Sequence, residues 1–336
     1  MYKIKLVQEN PKVGDIQGNL DLAKSHIAEA KEKGLDLIIF SEMFITGYPP
    51  EDLLLRQDFL AESEKCSKEL EELSKEISII IGCPSREGGN IFNSALFFQN
   101  GKIVKNYKKQ ILPNYKEFDE KRYFSKGETH EVFEDGDLKF GISICEDIWN
   151  EDFTKEVCNQ NIDLLINLSA SPFSLDKKHL REEMLCNYFA KFKIPIIYVN
   201  QVGGQDELVF DGSSLVIDSK DFVRRLKSFE TDQTVIEIDN NIISTNLKED
   251  KLSTVGDISD IYKALVLGTR DYVQKNNFKG ILIGSSGGID SALTAAIASD
   301  ALGPEKVNTV MMPFKYTADI SVVDAQELAE NLGFNH

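Results

Sequence analysis

Cys145 closes the apolar run Gly141-Ile142-Ser143-Ile144, so the chain delivers a thiol at the end of a strand. A turn placed there can aim backbone N–H groups at an oxyanion. Glu42 also follows an apolar run directly, and a carboxylate beside a thiol can serve as general base. Lys109 lies in Tyr107-Lys108-Lys109-Gln110-Ile111, after a hairpin strand. An ammonium near a reacting carbonyl would stabilise a tetrahedral oxyanion and help keep the thiol ionised. The chemistry that these three types could do together is amide hydrolysis at a cysteine nucleophile. Each alone also has a plainer reading: an inert buried thiol, a solvated or capping carboxylate, a surface lysine.

A second feature stands apart from the first. Ile281-Leu282-Ile283 leads through Gly284, Ser285, Ser286, Gly287, Gly288, Ile289, Asp290 and Ser291 into an alanine-rich helix. Glycines between a strand and a helix let backbone N–H groups approach phosphate oxygens, and the helix N-terminus adds a favourable dipole. No Gly-Lys-Ser/Thr follows, so this is not a Walker loop, and the glycine spacing does not fit a dinucleotide fingerprint.

Strand, turn and helix signals alternate around these residues. Residues 2–7, 35–40 and 78–81 read as strands, with amphipathic helices over about 20–34 and 58–77 between them. Asn100-Gly101 between 92–99 and 102–107 is a hairpin signal, so the sheet is mixed. Strands follow at 140–144, 163–168, 194–199 and 215–217, with a helix at 176–193, and 234–238 closes a domain over 1–240. Polar residues 241–257 read as a linker. Over 258–336 the pattern is helix (258–275), strand (280–283), helix (291–302), strand (306–312) and helix (322–332). Two strands are too little sheet for a parallel α/β domain, so 258–336 reads as incomplete.

Composition narrows the partners. In 336 residues, 42% hydrophobic against 28% charged is an ordinary globular balance, and a net charge of −17 with no basic stripe argues against nucleic acid. No signal peptide or run of about 18 apolar residues is present, so no membrane partner is expected and the protein is expected to be cytoplasmic. Five widely spaced cysteines and four histidines suit neither a disulfide framework nor a zinc site.

In chain order, Glu42, Lys109 and Cys145 resemble the Glu-Lys-Cys triad of the nitrilase superfamily, which cleaves non-peptide carbon–nitrogen bonds through a thioester. Ser41-Glu42-Met43-Phe44-Ile45-Thr46-Gly47-Tyr48-Pro49-Pro50, Leu112-Pro113-Asn114-Tyr115 with Phe118-Asp119-Glu120, and Ile144-Cys145-Glu146-Asp147-Ile148-Trp149 resemble the glutaminase half of glutamine-dependent NAD synthetases. That resemblance implies a nitrilase-like α-β-β-α sandwich. It further implies Glu120 as a second glutamate supporting the triad, and Tyr115, Ser171 and Lys177 as glutamine contacts. Lys177 stands where the family has arginine, which keeps charge but loses bidentate geometry.

Ser286-Gly287-Gly288-Ile289-Asp290-Ser291 is similar to the pyrophosphate-binding loop of ATP pyrophosphatases, implying the start of a Rossmann-like α/β domain that uses ATP. Asp290 is the candidate Mg²⁺ ligand, since Mg²⁺ takes carboxylate oxygen with phosphates and water. The implied substrates are glutamine, ATP and deamido-NAD, in a homo-oligomer. The competing readings are a stand-alone amidase with a vestigial ATP-binding fragment, and a non-catalytic scaffold. Amidotransferases with an N-terminal cysteine or a Gly-x-Cys-x-Gly elbow are not matched by Met1-Tyr2 or Ser143-Ile144-Cys145-Glu146-Asp147. Because the chain ends 45 residues after Ser291, it is expected to hydrolyse glutamine slowly or not at all, and not to make NAD.

Overall fold

A computed structural model describes residues 1–239 and 242–336, in two compact units: 1–202 with 210–255, and 203–209 with 256–336. The first unit contains β1 (Tyr2–Gln8), α1 (Ile16–Glu32), β2 (Leu37–Ile39), α2 (Gln57–Leu73), β3 (Ser78–Glu87), β4 (Asn90–Gln99), β5 (Lys102–Lys108), β6 (Val132–Asp135) and β7 (Leu138–Ile144). It continues through α3 (Glu151–Cys158), β8 (Leu164–Ser169), α4 (Lys177–Phe192) and β9 (Ile196–Asn200). After the hairpin β10 (Val202–Gln205) and β11 (Leu208–Asp211), whose residues 203–209 belong to the second unit, the first unit resumes with β12 (Leu215–Ile217), β13 (Val223–Arg225), β14 (Asp232–Asp239), β15 (Ile242–Thr245) and β16 (Glu249–Asp250).

Two seven-stranded sheets result, in the orders β15-β14-β1-β2-β3-β4-β5 and β16-β13-β12-β9-β8-β7-β6. Alternation along each strand decides the layers. Ile4, Leu6, Leu37, Ile39, Ile80 and Phe97 of the first sheet pack against Phe140, Ile142, Ile144, Ile166 and Ile197 of the second. The opposite face of the first sheet, with Val7, Ile38, Ile79, Ile81 and Phe98, packs against Ile16, Leu20, Ala23 and Ile27 of α1 and Phe59, Cys66 and Leu70 of α2. Leu185 and Cys186 of α4 join the core of the second sheet. The expected α-β-β-α sandwich is thus the observed one.

The Asn100-Gly101 turn joins β4 to β5 with both residues at positive φ (52° and 78°), the backbone that Asn-Gly favours in a hairpin. Residues 241–257, expected as a linker, carry β15 and β16, which pair with β14 and β13. Both are edge strands, and only β16, Glu249-Asp250, carries the charge that blunts further pairing. The expected 240/241 boundary lies outside the described residues. Sequence reading also left β6, α3, β10, β11 and β13 unassigned, and it carried α2 four residues beyond its end.

The second unit contains α5 (Ile258–Lys275), β17 (Ile281–Gly284), α6 (Ile289–Leu302), β18 (Val307–Val310) and α7 (Asp319–Leu332). β17 and β18 form a two-stranded parallel sheet whose core includes Ala295, Ala298, Val307 and Ala329. Leu282, in the middle of β17, is 73% exposed, so one face of this sheet carries no cover. No helix among the described residues is long and apolar enough to cross a membrane.

Candidate active site

The Glu42 carboxylate sits where the chain leaves β2 and still runs beside β3: Phe40 N donates to Ile80 O (2.9 Å) and Gly82 N to Ser41 O (3.2 Å). A Cβ on Gly82 would lie 2.4 Å from both Met43 N and Ser41 O, so only glycine lets the two segments approach. Glu42 is fully buried. Its Oε1 accepts from Lys109 Nζ (2.8 Å) and Asn93 Nδ2 (2.7 Å), and its Oε2 from Ala170 N (2.8 Å).

Lys109 follows β5, its backbone N donating to Asn93 O at 2.8 Å. Its buried ammonium bridges Glu42 and Glu120, with Glu120 Oε1 also at 2.8 Å. Glu120 begins a short 3₁₀ turn, and its Oε1 also accepts from Tyr48 OH at 2.9 Å. Two carboxylates and one ammonium would leave this buried cluster with a single negative charge. Burial pushes the Glu120 carboxyl up to about 7, and the Glu42 charge adds to the rise against the Lys109 ammonium. Burial disfavours the Lys109 ammonium, yet Glu120, Glu42 and Cys145 outweigh it and hold its pKa well above the ordinary value.

Cys145 starts a 3₁₀ turn over Cys145–Trp149 directly after β7, and its φ of 44° places a non-glycine residue in the left-handed region. Such a backbone costs energy and persists only where its surroundings impose it. Asp147 imposes it. Its Oδ2 accepts from Ile144 N (2.9 Å) and Tyr107 OH (2.7 Å), and its Oδ1 from Gln110 N (3.1 Å) and Ile111 N (2.8 Å). One buried carboxylate therefore ties the cysteine turn to the segment just after Lys109. Burial first, and Glu42 next, push the Cys145 thiol up, against Lys109 and Lys177. Lys109 was expected to help keep the thiol ionised, and its charge does act in that direction, against the larger opposing effect of burial.

The other expected contacts surround this centre. Tyr115 is half exposed, its OH donating to Glu146 Oε1 (2.8 Å) and its ring 5.7 Å from that of Phe118. Lys177, the first residue of α4, puts Nζ 5.7 Å from the same Phe118 ring. Ser171 is buried, with its N donating to Asn200 Oδ1 (2.9 Å). Asn200 Nδ2 donates to Asp211 Oδ1 (3.2 Å), and Asp211 pairs with the buried Arg181 (2.8 Å), whose guanidinium lies 5.1 Å from the Tyr198 ring. Asn93, Asp147, Asn200 and Glu146 were not singled out from sequence. Asn93 had a signal, since Asn93-Ser94 interrupts the apolar run Ile91-Phe92 and Ala95-Leu96-Phe97-Phe98.

In the second unit, Gly284 ends β17, Ser285 N donates to Val310 O (2.9 Å), and α6 begins at Ile289 rather than at Ser291. Ser291 Oγ accepts from Ser286 N (3.2 Å) and donates to Gly288 O (2.9 Å), tying the loop to the first turn of the helix. Gly287 has φ 73°, and a Cβ there would fall 2.1 Å from Ser321 O. Asp290 lies exposed in that first turn. Among the described residues no three His, Cys, Asp or Glu side chains cluster to hold a metal by themselves.

Comparison with known proteins agrees with this division. Residues 3–245 match the carbon-nitrogen hydrolase family model and residues 261–336 the NAD synthase model. A glutamine-dependent NAD(+) synthetase of Acinetobacter baylyi is 43% identical over 335 residues, which are 99% of this chain and 61% of that protein. The solved structure of the Acinetobacter baumannii glutamine-dependent NAD+ synthetase in complex with ADP superposes with a TM-score of 0.93 at 40% identity, over 99% of this chain and 64% of that one. An amidase from Nesterenkonia sp., 23% identical with a TM-score of 0.64 over 71% of this chain and 90% of its own, shares the fold. The chain thus spans a little over three-fifths of the length of the synthetases it matches. With the model matched over 3–245 and a strained cysteine tied beside a buried Glu-Lys-Glu cluster, the chain belongs to the carbon–nitrogen hydrolase family.

Proposed function

We propose that the first unit hydrolyses the side-chain amide of glutamine and that the chain is part of a glutamine-dependent NAD synthetase. The observation that carries this reading is the buried cluster in which Lys109 holds Glu42 and Glu120 at 2.8 Å each, tied through Asp147 to the turn of Cys145. Cys145 Sγ attacks the amide carbon while Glu42 takes the thiol proton. Lys109 turns an N–H toward the developing oxyanion. The tetrahedral species collapses as that proton passes to the departing ammonia, leaving a thioester. Water, deprotonated by Glu42, then releases glutamate. Glu120 positions Lys109. Tyr115, Ser171 and Lys177 would hold the polar end of glutamine, with Glu146 placed to receive a cationic amine.

The loop Gly284–Ser291 would bind the phosphates of ATP at the N-terminus of α6. Asp290 would hold Mg²⁺ together with those phosphates, and the ion would neutralise their charge. In the complete protein, ATP would adenylate deamido-NAD and the ammonia would displace AMP; oligomerisation and a cytoplasmic location belong to the same reading. A stand-alone amidase would have no use for a strand–loop–helix of this pattern.

Glutamate release from glutamine, measured with and without ATP and deamido-NAD, tests the proposal. Release should fall on the order of 10³-fold or more in Cys145→Ala. Undiminished release in that variant would overturn it.

A further inference from the structure

Glu42 is held by three donors, and their distribution over its two oxygens is unequal. Oε1 accepts from both Asn93 Nδ2 (2.7 Å) and Lys109 Nζ (2.8 Å), which uses both of its lone pairs. Among the described residues Oε2 accepts only from Ala170 N (2.8 Å), leaving one lone pair open. Asn93 is fully buried in β4, and its backbone O also receives Lys109 N at 2.8 Å. It therefore sets the Glu42 carboxylate and the Lys109 backbone from a single residue. Its amide orientation is determined: the opposite one would put Oδ1 against Oε1, two acceptors at hydrogen-bond distance. Among the described residues Asn93 Oδ1 has no hydrogen-bond partner.

We propose that Asn93 is a positioning residue for the general base: by occupying Oε1 it directs the Cys145 proton to Oε2, and it keeps Glu42 in place when Lys109 turns toward the oxyanion. This rests on the reading of Glu42 as base and Cys145 as nucleophile. In the proton transfer the Sγ lone pair forms the new bond to carbon, and the Sγ–H proton is received by Oε2. A neutral donor on Oε1 favours the charged carboxylate. Without Asn93 the base holds its proton to higher pH.

Alkylation of Cys145 by iodoacetamide tests this without requiring turnover. The sulfur displaces iodide and the thiol proton passes to the base, and peptide mass spectrometry separates Cys145 from the other four cysteines. Rates are measured from pH 5 to 9 for the wild type, Asn93→Ser, Asn93→Asp and Glu42→Gln. The acidic limb should move up by about one pH unit in Asn93→Ser. It should move further in the isosteric Asn93→Asp, where a second carboxylate faces Glu42. Glu42→Gln should slow alkylation of Cys145 at pH 7 more than either Asn93 variant does, leaving only the rise with pH of an unassisted thiol. An unmoved limb in both Asn93 variants, with or without slower alkylation, would overturn the proposal and leave the base and nucleophile reading intact. Alkylation in Glu42→Gln as fast as in the wild type at pH 7 would instead remove that reading, and this proposal with it.

Discussion

Glu120→Gln isolates the protonation state of the buried cluster. The Glu120 carboxyl is raised from an ordinary 4.5 to about 7, chiefly by burial. The folded state therefore holds this proton more tightly than the unfolded chain does, so stability from this group is greatest at low pH. It is lost as pH rises from 4.5 through 7. At about 1.4 kcal/mol per pH unit the loss amounts to roughly 3 kcal/mol. Glutamine has nearly the same shape, can still accept from Lys109 and Tyr48, and does not titrate. The assay is urea denaturation at pH 5 and pH 8, followed by fluorescence of Trp149, the single tryptophan and a residue of the cysteine turn. Groups away from the cluster titrate alike in both proteins, so the difference between the two pH dependences belongs to Glu120 and the charges it touches. The wild type should lose on the order of 1–3 kcal/mol more than Glu120→Gln between these pH values. Equal pH dependence in the two proteins would refute the reasoning.

Three further outcomes follow from the packing. Lys109→Met leaves Glu42 and Glu120 buried without their cation, and should cost about 3–5 kcal/mol in the same denaturation assay, with part recovered in the Lys109→Met/Glu120→Gln double variant. Arg181→Met strands the buried Asp211 and should cost a similar amount, about 3–5 kcal/mol, whereas adding Asp211→Asn should restore part of it. Gly82→Ala forces a Cβ to 2.4 Å from Ser41 O and Met43 N, displacing Glu42. Glutamine hydrolysis should then fall about 10²-fold, and a rate within twofold of wild type would contradict the argument.

Much of the site was legible in sequence because its residues sit at strand ends, where apolar runs stop abruptly at Glu42 and Cys145. The strained φ of Cys145 was not legible, because it is imposed by Asp147 through hydrogen bonds to residues 34 or more positions away in Tyr107, Gln110 and Ile111. The same holds for Asn93, whose meaning depends on Glu42, 51 positions distant. A lysine able to favour the Cys145 thiolate is visible in sequence, whereas the burial that opposes it is not. Strand existence was read well where apolar runs were long and poorly where strands were short and lay in polar surroundings, as β13, β15 and β16 show. Residues 289–290 entered α6 without a sequence signal, because their place is set by the loop bonds of Ser286 and Ser291.

The most direct measurement is peptide mapping after reaction with an electrophilic chloroketone analogue of glutamine. One label per chain is expected, on Cys145 alone among Cys66, Cys83, Cys145, Cys158 and Cys186, slowed by added glutamine and by Glu42→Gln. Labelling spread over several cysteines, or a Cys145 that stays unlabelled and indifferent to glutamine, would contradict the assignment of this thiol as the nucleophile.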